Sequence, residues 1–289
     1  MTLPNFIICG TQRGGTTSLY YYLKEHPQIF MPSKKEIHFF DLHYKKGIEW
    51  YKRHFREAKN SKIRAIGEAS PSYMYFEEVP ERIHEVIPDV KLIFILRNPV
   101  DRAYSHYWHE VRLGYEWLSF EEAIKVEQER LAKGDIINRR HYSYLDRGKY
   151  IEQIKRFRKY FSKDQMLILI TEELRSSPET VMRQIFEFLQ VNPDFKSESW
   201  YNKKFNIGKR PRIKALQRIK GKLHRIQEYY FPQLAFLVKP IMYAIDIINL
   251  TKGYPKMSLE TRKFLIKHFE LYNKELEVYL ERRLDFWYL

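Results

Sequence analysis

Short apolar runs recur along the chain between stretches that mix apolar and polar residues. Four of these runs predict buried β-strands, at residues 4–9, 63–69, 91–96 and 166–171. Residues 150–161 and 178–189 instead repeat apolar positions at helical spacing. Strands that alternate with helices in this way are typical of a parallel sheet covered on both faces. The pattern therefore predicts an α/β fold.

The first predicted strand runs directly into a loop rich in glycine and threonine, residues 10–18. Apolar residues then recur at helical spacing, at Leu19, Tyr22 and Leu23, so the predicted order is strand, glycine loop, helix. Two further helices are predicted, one with Pro99 near its start and one over residues 258–282.

The region 203–250 differs from the rest of the chain. Its first part, 203–225, is densely basic, and residues 229–250 are apolar and aromatic. The apolar part is interrupted at Pro232, Lys239, Pro240 and Asp246. No uncharged span of transmembrane length therefore exists, and no transmembrane helix is predicted.

The composition limits the class of protein. The chain has 289 residues, of which 44% are hydrophobic and 16% aromatic, so it can build a sizeable core and is not globally disordered. The formal net charge of +15 points to an anionic partner such as a nucleotide, a nucleic acid, an acidic glycan or an anionic lipid surface. A basic surface that serves only solubility is the alternative, so the charge alone selects no partner.

Cysteine content and the N-terminal sequence bear on the compartment. Cys9 is the only cysteine, so no disulfide can form within the chain, which fits a reducing compartment. The apolar run that contains it is too short for a signal peptide. We therefore expect a cytoplasmic protein. The sequence shows no zinc-ligand spacing of cysteine and histidine, so no metal site is predicted.

The loop of residues 10–18 has the composition of a phosphate-binding loop. Its glycines let the backbone close around a phosphate, and the hydroxyls of Thr16, Thr17 and Ser18 offer hydrogen bonds at the start of the following helix. A plain tight turn is the alternative interpretation. The order of strand, glycines, hydroxyls and helix favours the phosphate site.

The same loop departs from the Walker pattern of nucleoside triphosphatases. Gly10 and Gly15 have the Walker spacing, but Thr16 stands where the lysine belongs, and the loop's positive charge is Arg13. The strand 91–96 is followed by Arg97 rather than by an acid that would hold Mg²⁺. These departures favour a phosphorylated nucleotide without an obligatory metal.

Several segments resemble, in the same order, the sulfotransferases that use 3′-phosphoadenosine 5′-phosphosulfate (PAPS). GTQRGGTTSLYYYLKEHPQI with KEIHFFD is similar to their 5′-phosphosulfate loop and the adjoining segment, and LIFILRNPVDRAYSHYWHE to their 3′-phosphate-binding strand and helix. Three more segments are similar: GEASPSYMY, RGKYIEQIKRFRKYFSKDQMLILITEEL and KGYPKMSLETRKFLIKHFELYNKELEVYL. The chain most resembles heparan-sulfate-type domains and bacterial carbohydrate-type relatives, from about residue 5 to 287 and most weakly at 196–250.

This resemblance implies a fold and a reaction. The implied fold is the P-loop NTPase-like sulfotransferase fold, an α/β three-layer sandwich with a central parallel sheet, in a single domain of residues 1–289 with a variable helical segment at about 203–250. The implied reaction moves a sulfuryl group from PAPS to a hydroxyl or amine of an acceptor, preferably a carbohydrate. PAP is the product, no metal is required and no nucleic acid takes part. A P-loop nucleotide kinase or NTPase and a non-catalytic anion-binding module are the alternatives.

The resemblance also assigns the donor-binding residues. Arg13 stands where the family usually has lysine, and we expect it to bind PAPS and to stabilise the leaving phosphate. Arg97 and Ser105 match the pair that holds the 3′-phosphate, although an ion pair of Arg97 with Asp101 is the alternative. The remaining donor-binding positions are Gly14, Gly15, Thr16, Thr17, Ser18, Lys252 and Gly253.

Glu36 matches the family's general base. A partly buried carboxylate among apolar neighbours is expected to have a raised pKa, which suits a base. His38 lies two residues on and would point the same way in an extended segment, so it is the second catalytic candidate. The alternatives are a surface pair of Glu36 with Lys34 or Lys35, and a structural histidine bound to a backbone carbonyl.

Three features depart from the family pattern or leave the acceptor open. Ala69 stands where heparan-type enzymes often carry lysine, and Tyr254 follows Lys252-Gly253 where a third basic residue is common. Tyr254 is a candidate to stack on or line the adenine site. The segment 203–250 is either a helical cap whose apolar face is core, which we favour, or a surface for an anionic or membrane-associated acceptor, with peripheral membrane contact.

Overall fold

The computed structural model describes residues 3–58, 61–202 and 208–289. Residues 203–207, with which the predicted basic region begins, lie outside the described residues. In chain order, the first strands and helices are β1 (Phe6–Gly10), α1 (Thr16–Lys24), β2 (Ile29–Phe30), α2 (Phe39–Leu42), α3 (Ile48–Lys52), β3 (Ala65–Ala69), α4 (Val79–Val86), β4 (Lys91–Leu96), α5 (Pro99–Leu113), α6 (Phe120–Lys125), α7 (Glu127–Leu131) and α8 (Ile136–His141).

The chain continues with ten more elements. These are α9 (Tyr150–Arg158), β5 (Met166–Ile170), α10 (Thr171–Ser176), α11 (Pro178–Leu189), α12 (Ser199–Asn202), β6 (Lys209–Pro211), α13 (Lys214–Tyr229), α14 (Ala235–Asn249), β7 (Leu250–Lys252) and α15 (Leu259–Leu280). Short 3₁₀ helices lie at Tyr44–Lys46, Arg53–Phe55, Asp146–Gly148, Lys163–Gln165, Pro232–Leu234 and Asp285–Trp287.

The four predicted strands are present as β1, β3, β4 and β5, with small differences in their bounds. β4 and α11 have the bounds that the sequence predicts, whereas β1 and β3 each begin two residues later than predicted. The strand β2 was not predicted, because two apolar residues are too few to show a period.

Five strands form one sheet in the order β2–β3–β1–β4–β5, and every neighbouring pair is parallel. Ile8 of β1 pairs with Ala69 of β3 on one side and with Ile93 of β4 on the other. The chain therefore winds outward from β1 to one edge, returns, and crosses to the other side of β1. Such a reversal leaves a crevice for a ligand beyond the carboxyl ends of the strands.

Helices cover both faces of this sheet. On one face, Ile8 and Ile93 belong to an apolar core that also contains Leu23 of α1 and Phe186 of α11. On the other face, the ring of Phe94 packs edge-on against Phe157 of α9, with 5.0 Å between the ring centroids. Successive strand residues point to opposite faces, so the continuous apolar strands supply both cores. Each fully buried side chain of this kind contributes roughly 1.5–3 kcal/mol.

The residues group into two compact units. The first unit consists of Met1–Asn98, Lys149–Phe205 and Tyr272–Arg283, and it contains the five-stranded sheet. The second unit consists of Pro99–Gly148, Asn206–Leu271 and Leu284–Leu289. The single domain predicted for residues 1–289 stays a prediction.

The second unit contains a helical hairpin. β6 pairs antiparallel with β7, and α13 and α14, which lie between these strands in sequence, pack against each other. We call residues 209–252 the α13–α14 hairpin. The region is helical as expected, but the expectation that its apolar face is core is wrong, because Ile219 is 56% and Phe236 is 72% exposed.

Candidate functional site

The candidate site lies in the first unit, at the carboxyl ends of β1, β3 and β4. The glycine loop leaves β1, Ser70 follows β3, and Arg97 follows β4. The backbone N–H of Glu36 donates to the carbonyl oxygen of Ala69, 3.1 Å away, which brings the segment before α2 to the end of β3. The sheet therefore gathers the predicted loop, Arg97 and Glu36 at the edge where parallel sheets bind ligands.

The glycine loop follows the sheet closely. The N–H of Thr11 donates to the carbonyl oxygen of Ile95 at 2.9 Å, and the N–H of Gly14 to that of Thr11 at 2.9 Å. A Cβ on Gly14 would lie 2.5 Å from the Ile95 carbonyl oxygen, so only glycine fits there. The hydroxyl of Thr171 contacts the carbonyl oxygens of Gly14 and Leu96, the latter at 2.9 Å. Strand ends on both sides thus fix the shape of the loop.

The loop leads into the N-terminus of α1. Gly15 is the N-cap residue and has a φ of 105°, a left-handed conformation that favours glycine. No acidic residue lies in the first turn, which begins with Thr16 and Thr17. The N–H groups of a first helical turn and its partial positive charge favour a phosphate at this place. The predicted phosphate loop therefore leads into a helix N-terminus that is suited to an anion.

Arg97 lies beside the glycine loop. Its Nη1 donates to the carbonyl oxygen of Arg13 at 3.4 Å, and its own carbonyl oxygen accepts a hydrogen bond from the Tyr150 hydroxyl at 2.8 Å. Its Nε is buried and has no hydrogen-bond partner within the described residues. Asp101, the alternative partner of Arg97, pairs instead with Arg262 at 2.8 Å. An unsatisfied guanidinium donor next to the glycine loop fits an anionic ligand.

Glu36, His38 and Asp41 form a chain of ionisable groups. His38 Nδ1 lies 2.9 Å from Asp41 Oδ2, and its Nε2 lies 3.4 Å from Glu36 Oε2. Lys35 Nζ approaches the other oxygen, Glu36 Oε1, at 2.5 Å. The Asp41 side chain is 1% exposed and that of Glu36 42% exposed. The chain therefore runs from a buried carboxylate through the imidazole to a carboxylate that a solute can reach.

The predicted extended conformation of this segment is wrong. Glu36 and His38 have left-handed backbones, with φ of 65° and 57°, and α2 begins directly after His38. Their side chains meet nonetheless. Arg13, with a φ of 67°, is also left-handed, and among the described residues only five non-glycine residues are. Such conformations cost about 1–3 kcal/mol each and cluster at functional sites, which supports the same three residues that the sequence selects.

The raised pKa predicted for Glu36 is wrong as well. Burial favours its neutral form, but the hydrogen bond from His38 and the charge of Lys35 outweigh this and lower the pKa of Glu36. Burial also favours the neutral form of His38, which for a histidine means a lower pKa. The charge and hydrogen bond of Asp41 and the contact with Glu36 outweigh burial and raise the pKa of His38 to about 9. At neutral pH, Glu36 is therefore ionised and His38 is protonated.

The alternative interpretations of these two residues have different outcomes. The alternative that Glu36 pairs with Lys35 is confirmed, since this ion pair is present. The ion pair is compatible with a catalytic role for Glu36. The ring of His38 contacts Glu36 and Asp41, and its Nδ1 lies 3.2 Å from the Ser72 hydroxyl. The partners described for the ring are therefore side chains rather than the backbone carbonyl that we considered.

Glu68 and its neighbours support this chain from behind and were not predicted. Glu68 is buried in β3 and accepts hydrogen bonds from the hydroxyls of Tyr51 at 2.7 Å, Ser70 at 2.8 Å and Tyr73 at 3.0 Å. Burial raises its pKa despite these bonds. Ser70 and Tyr73 in turn accept the backbone N–H groups of His38 and Phe39. This network holds the left-handed turn in place.

Sequence patterns carried only part of the signal for the supporting residues. Asp41 follows His38 at a spacing of three, which would have suggested a carboxylate–histidine contact once a helical turn was assumed. Thr171 and Ser72 are single hydroxyl residues in otherwise ordinary segments. Only the pairing of the strands brings them to the site.

The other predicted donor-binding residues belong to the second unit. Ser105 is buried on α5, and Lys252 ends β7. The N–H of Gly253 donates to the carbonyl oxygen of Gly208 at 2.7 Å. The ring of Tyr254 stacks on Trp108, with 5.6 Å between centroids. The roles of Ser105, Lys252 and Gly253 in donor binding stay predictions.

The described residues also bear on metal binding and on membrane crossing. Within residues 3–58, 61–202 and 208–289, no group of three or more histidine, cysteine, aspartate or glutamate side chains is arranged to hold a metal ion. Over the same part of the chain, no helix has both the length and the apolar character needed to cross a membrane. The metal independence and the cytoplasmic location that we expect stay predictions.

Comparisons with known proteins point to one family. The family model described as "Sulfotransferase domain" matches residues 3–211. The bifunctional heparan sulfate N-deacetylase/N-sulfotransferase 4 of Mus musculus is 31% identical over 299 residues, which covers 97% of this chain and 30% of that protein. The corresponding enzyme 3 of Homo sapiens is 36% identical over 205 residues, covering 67% of this chain and 23% of that protein. The chain thus spans less than a third of either relative.

A solved structure covers the whole fold. The crystal structure of a sulfotransferase from Alicyclobacillus acidocaldarius matches with a TM-score of 0.73 and 28% sequence identity over 99% of both chains. The parallel sheet flanked by helices therefore has the P-loop NTPase-like fold that the sequence predicts.

Proposed function

Because this chain belongs to the sulfotransferase family, we propose that it transfers a sulfuryl group from PAPS to a hydroxyl or amine of a carbohydrate acceptor. The observation that carries the proposal is the juxtaposition at one sheet edge. A glycine loop and an unsatisfied Arg97 donor lie there together with the ionised Glu36 and its partner His38.

Donor binding rests on the loop and on Arg97. PAPS carries a 5′-phosphosulfate and a 3′-phosphate, so it needs two groups of anion-binding donors. The backbone of Gly14 to Ser18 and the N-terminus of α1 are suited to the first. Arg97 is suited to the second, because a guanidinium binds a phosphate through two parallel hydrogen bonds. We extend this second group to Ser105, and the nucleotide cover to Lys252 and Gly253, by family resemblance.

The proposed reaction is an in-line displacement at sulfur. The acceptor oxygen or nitrogen forms a bond to sulfur while the bond from sulfur to the 5′-phosphate oxygen breaks. The proton of the acceptor passes to the carboxylate of Glu36. Arg13 stabilises the negative charge that grows on the leaving phosphate, as a fixed cation placed where charge develops lowers the barrier.

His38 is better suited to positioning Glu36 than to accepting the proton itself. Its raised pKa keeps it protonated at neutral pH, and its Nε2–H points to Glu36 Oε2. The buried Asp41 and the Ser72 hydroxyl fix the other side of the ring. His38 therefore keeps the Glu36 carboxylate ionised and oriented. The two roles differ in pH dependence, since a neutral His38 base would make the rate rise with pH up to about 9.

The names of the relatives support a carbohydrate as the class of acceptor, without specifying which carbohydrate. The two relatives named above carry heparan sulfate in their names, and the activity belongs to proteins much longer than this chain. The exposed Glu36 carboxylate is open to a large acceptor. Ala69 replaces the lysine common in heparan-type enzymes, so we propose a carbohydrate and not heparan sulfate itself.

The proposal is tested by transfer of labelled sulfonate from PAPS to a panel of carbohydrate acceptors. Glu36→Gln should lower the rate by about 10²–10⁴. Arg13→Ala should lower it by about 10²–10³, and Arg13→Lys should restore part of the loss. Two exposed residues outside the site serve as matched controls, and Glu57→Gln and Arg56→Ala should keep the wild-type rate.

Binding of the product nucleotide is tested separately. PAP should raise the melting temperature more than AMP or ATP does, because a ligand that binds only the folded state stabilises it. Arg97→Ala should reduce the preference for PAP over AMP. Wild-type rates in both Glu36→Gln and Arg13→Ala would overturn the catalytic assignments, and equal stabilisation by PAP and AMP would overturn the donor.

A further inference from the structure

The α13–α14 hairpin of the second unit has a polar interior. Lys220 Nζ lies 2.5 Å from Asp246 Oδ1. The Asn249 side-chain amide donates to Gln217 Oε1 at 2.9 Å and to the carbonyl oxygen of Ile213 at 3.0 Å. All these contacts join α14 to α13 or to the residue that precedes it. The two helices therefore meet through side chains that satisfy each other's hydrogen bonds.

The outer face of the hairpin is apolar. Gln217 is 2% exposed, whereas Ile219, Leu223 and Ile226, which lie on one face of α13 at spacings of four and three, are all exposed. α14 extends this surface with Phe236, Leu237, Ile241, Tyr243, Ile247 and Ile248. An ordinary surface helix buries its apolar face. A contiguous exposed apolar surface of this kind marks an interaction site.

Basic side chains border the apolar face. Lys214, Arg218 and Lys222 follow one another at intervals of four residues on α13, and all three are exposed. This spacing places them in a row along the helix, beside the stripe of Ile219 and Ile226. The combination of an apolar stripe with a lysine and arginine row is typical of helices that lie at an anionic membrane surface.

Acidic side chains do not offset this charge. Residues 208–252 contain ten lysines and arginines but two acids. One acid, Asp246, pairs with Lys220 inside the hairpin, and the other, Glu228, pairs with Arg140 at 2.8 Å. A second copy of the chain on this face would set like charges against each other, because a two-fold interface uses the same patch twice. An anionic surface matches the charge instead.

We propose that the α13–α14 hairpin docks into the interfacial region of an anionic lipid bilayer. The apolar side chains enter the boundary between headgroups and acyl chains, and the basic row binds lipid phosphates. α14 has 15 residues, or about 22 Å, which is shorter than the roughly 30 Å hydrocarbon core, so it lies along the interface. Docking goes beyond the proposed reaction and does not depend on it.

Vesicle binding of the full chain tests the proposal directly. The protein is floated with vesicles of phosphatidylcholine alone and of phosphatidylcholine mixed with phosphatidylglycerol, without any nucleotide. We expect it to float with the mixed vesicles far more than with the neutral ones, and added salt should weaken this binding. A protein that stays unbound with both vesicles at low salt would overturn the proposal.

Matched variants separate the apolar and basic contributions. Phe236→Ser with Ile247→Ser should weaken binding to mixed vesicles at least tenfold, since each side chain loses the transfer of its apolar surface from water. The control is Phe264→Ser with Leu271→Ser on α15, where exposure is similar. Lys214→Gln with Lys222→Gln should weaken binding by roughly 30-fold, against no change in Lys263→Gln with Lys267→Gln.

A labelled cysteine reports depth and tells the membrane from a second copy. Cys9 is buried, so a cysteine introduced by I247C takes an environment-sensitive dye selectively. Its emission should shift to the blue on mixed vesicles, while the dye in L271C should not change. Equal shifts at both positions would contradict docking by the hairpin. A dimer in solution that Phe236→Ser with Ile247→Ser converts to a monomer would replace the membrane with a second copy as occupant.

Discussion

The sheet-edge site and the α13–α14 hairpin arrange polar and apolar side chains in opposite ways. Around the sheet, Ile93 is fully buried, and the ionisable chain ends in Glu36 at the surface. In the hairpin, Lys220 and Gln217 are buried, and Ile219 is exposed. Helix α11 beside the sheet and helix α13 of the hairpin nevertheless both show ordinary amphipathic patterns in sequence. Periodicity therefore reports that two faces differ but not which of them is buried.

The difference has a physical reason. A polar face can be buried when its groups satisfy one another, as Lys220 with Asp246 and Gln217 with Asn249 do. The apolar face is then left for another environment. At the site, by contrast, the buried polar groups Asp41 and Glu68 serve to orient residues at the surface. The same chemistry of satisfied polar groups thus supports the candidate site in one unit and an exposed apolar surface in the other.

The largest difference in the free energy of unfolding is expected between variants of two isoleucines, one in the sheet and one in the hairpin. Ile93→Ala in β4 should lower the free energy of unfolding by about 2–5 kcal/mol, because it leaves a cavity in the core. Ile219→Ala on α13 should change it by less than about 0.5 kcal/mol, since the side chain is already exposed. Urea denaturation of the two variants measures both values. A large loss in Ile219→Ala would mean that the outer face of the hairpin is buried in solution.

A pair of lysines tests the polar interior. Lys220→Met should lower the free energy of unfolding by about 1–3 kcal/mol, because it leaves Asp246 without its partner in a partly buried site. Lys222→Met, two residues away and exposed, should change it by less than about 0.5 kcal/mol. Thermal and urea unfolding report the difference. If Lys220→Met lowered the free energy of unfolding no more than Lys222→Met does, the interior contacts of the hairpin would not form in solution.

The smallest effect is a pH dependence of stability that arises at the site. The folded pKa of His38 is about 9, above the ordinary value of 6.5, so its contribution is complete below pH 6.5 and is lost as the pH rises to 9. The melting temperature should therefore fall over this range in the wild type and fall less in His38→Gln.

His43 provides the control for this experiment. Burial and the charges of Lys46 and Lys34 lower the pKa of His43 to about 4, so His43 is neutral in the folded state above pH 6.5, and in the unfolded state it becomes neutral as the pH rises past its ordinary pKa of 6.5. His43→Gln should keep the wild-type slope in the upper part of the range up to pH 9, well above the ordinary histidine pKa of 6.5. Should His38→Gln also keep it, the ion pairs of His38 with Glu36 and Asp41 would not exist in solution. At low pH, Glu36 and Asp41 lose their stabilising contributions as each becomes protonated below its ordinary pKa.

Several site residues could be selected from the sequence alone, because they follow predicted strands along the chain. The glycine loop, which contains Arg13, follows one predicted strand directly, Arg97 follows another, and the carboxyl ends of parallel strands share one edge. Glu36 and His38 came from resemblance and from their spacing. Their left-handed backbones and the low pKa of Glu36 could not be predicted, because the turn depends on the contact of the His38 backbone with Ser70 and the pKa on contacts with His38 and Lys35.

The sequence by itself determined the α/β class, the four main strands and the glycine loop between β1 and α1, because buried strands and glycine loops have strong local patterns. The tertiary structure alone decided the ionisation of Glu36 and His38 and the outward direction of the apolar face of α13. Charge states depend on partners distant in the chain, and a helix has no preference for which face it buries until its neighbours are in place.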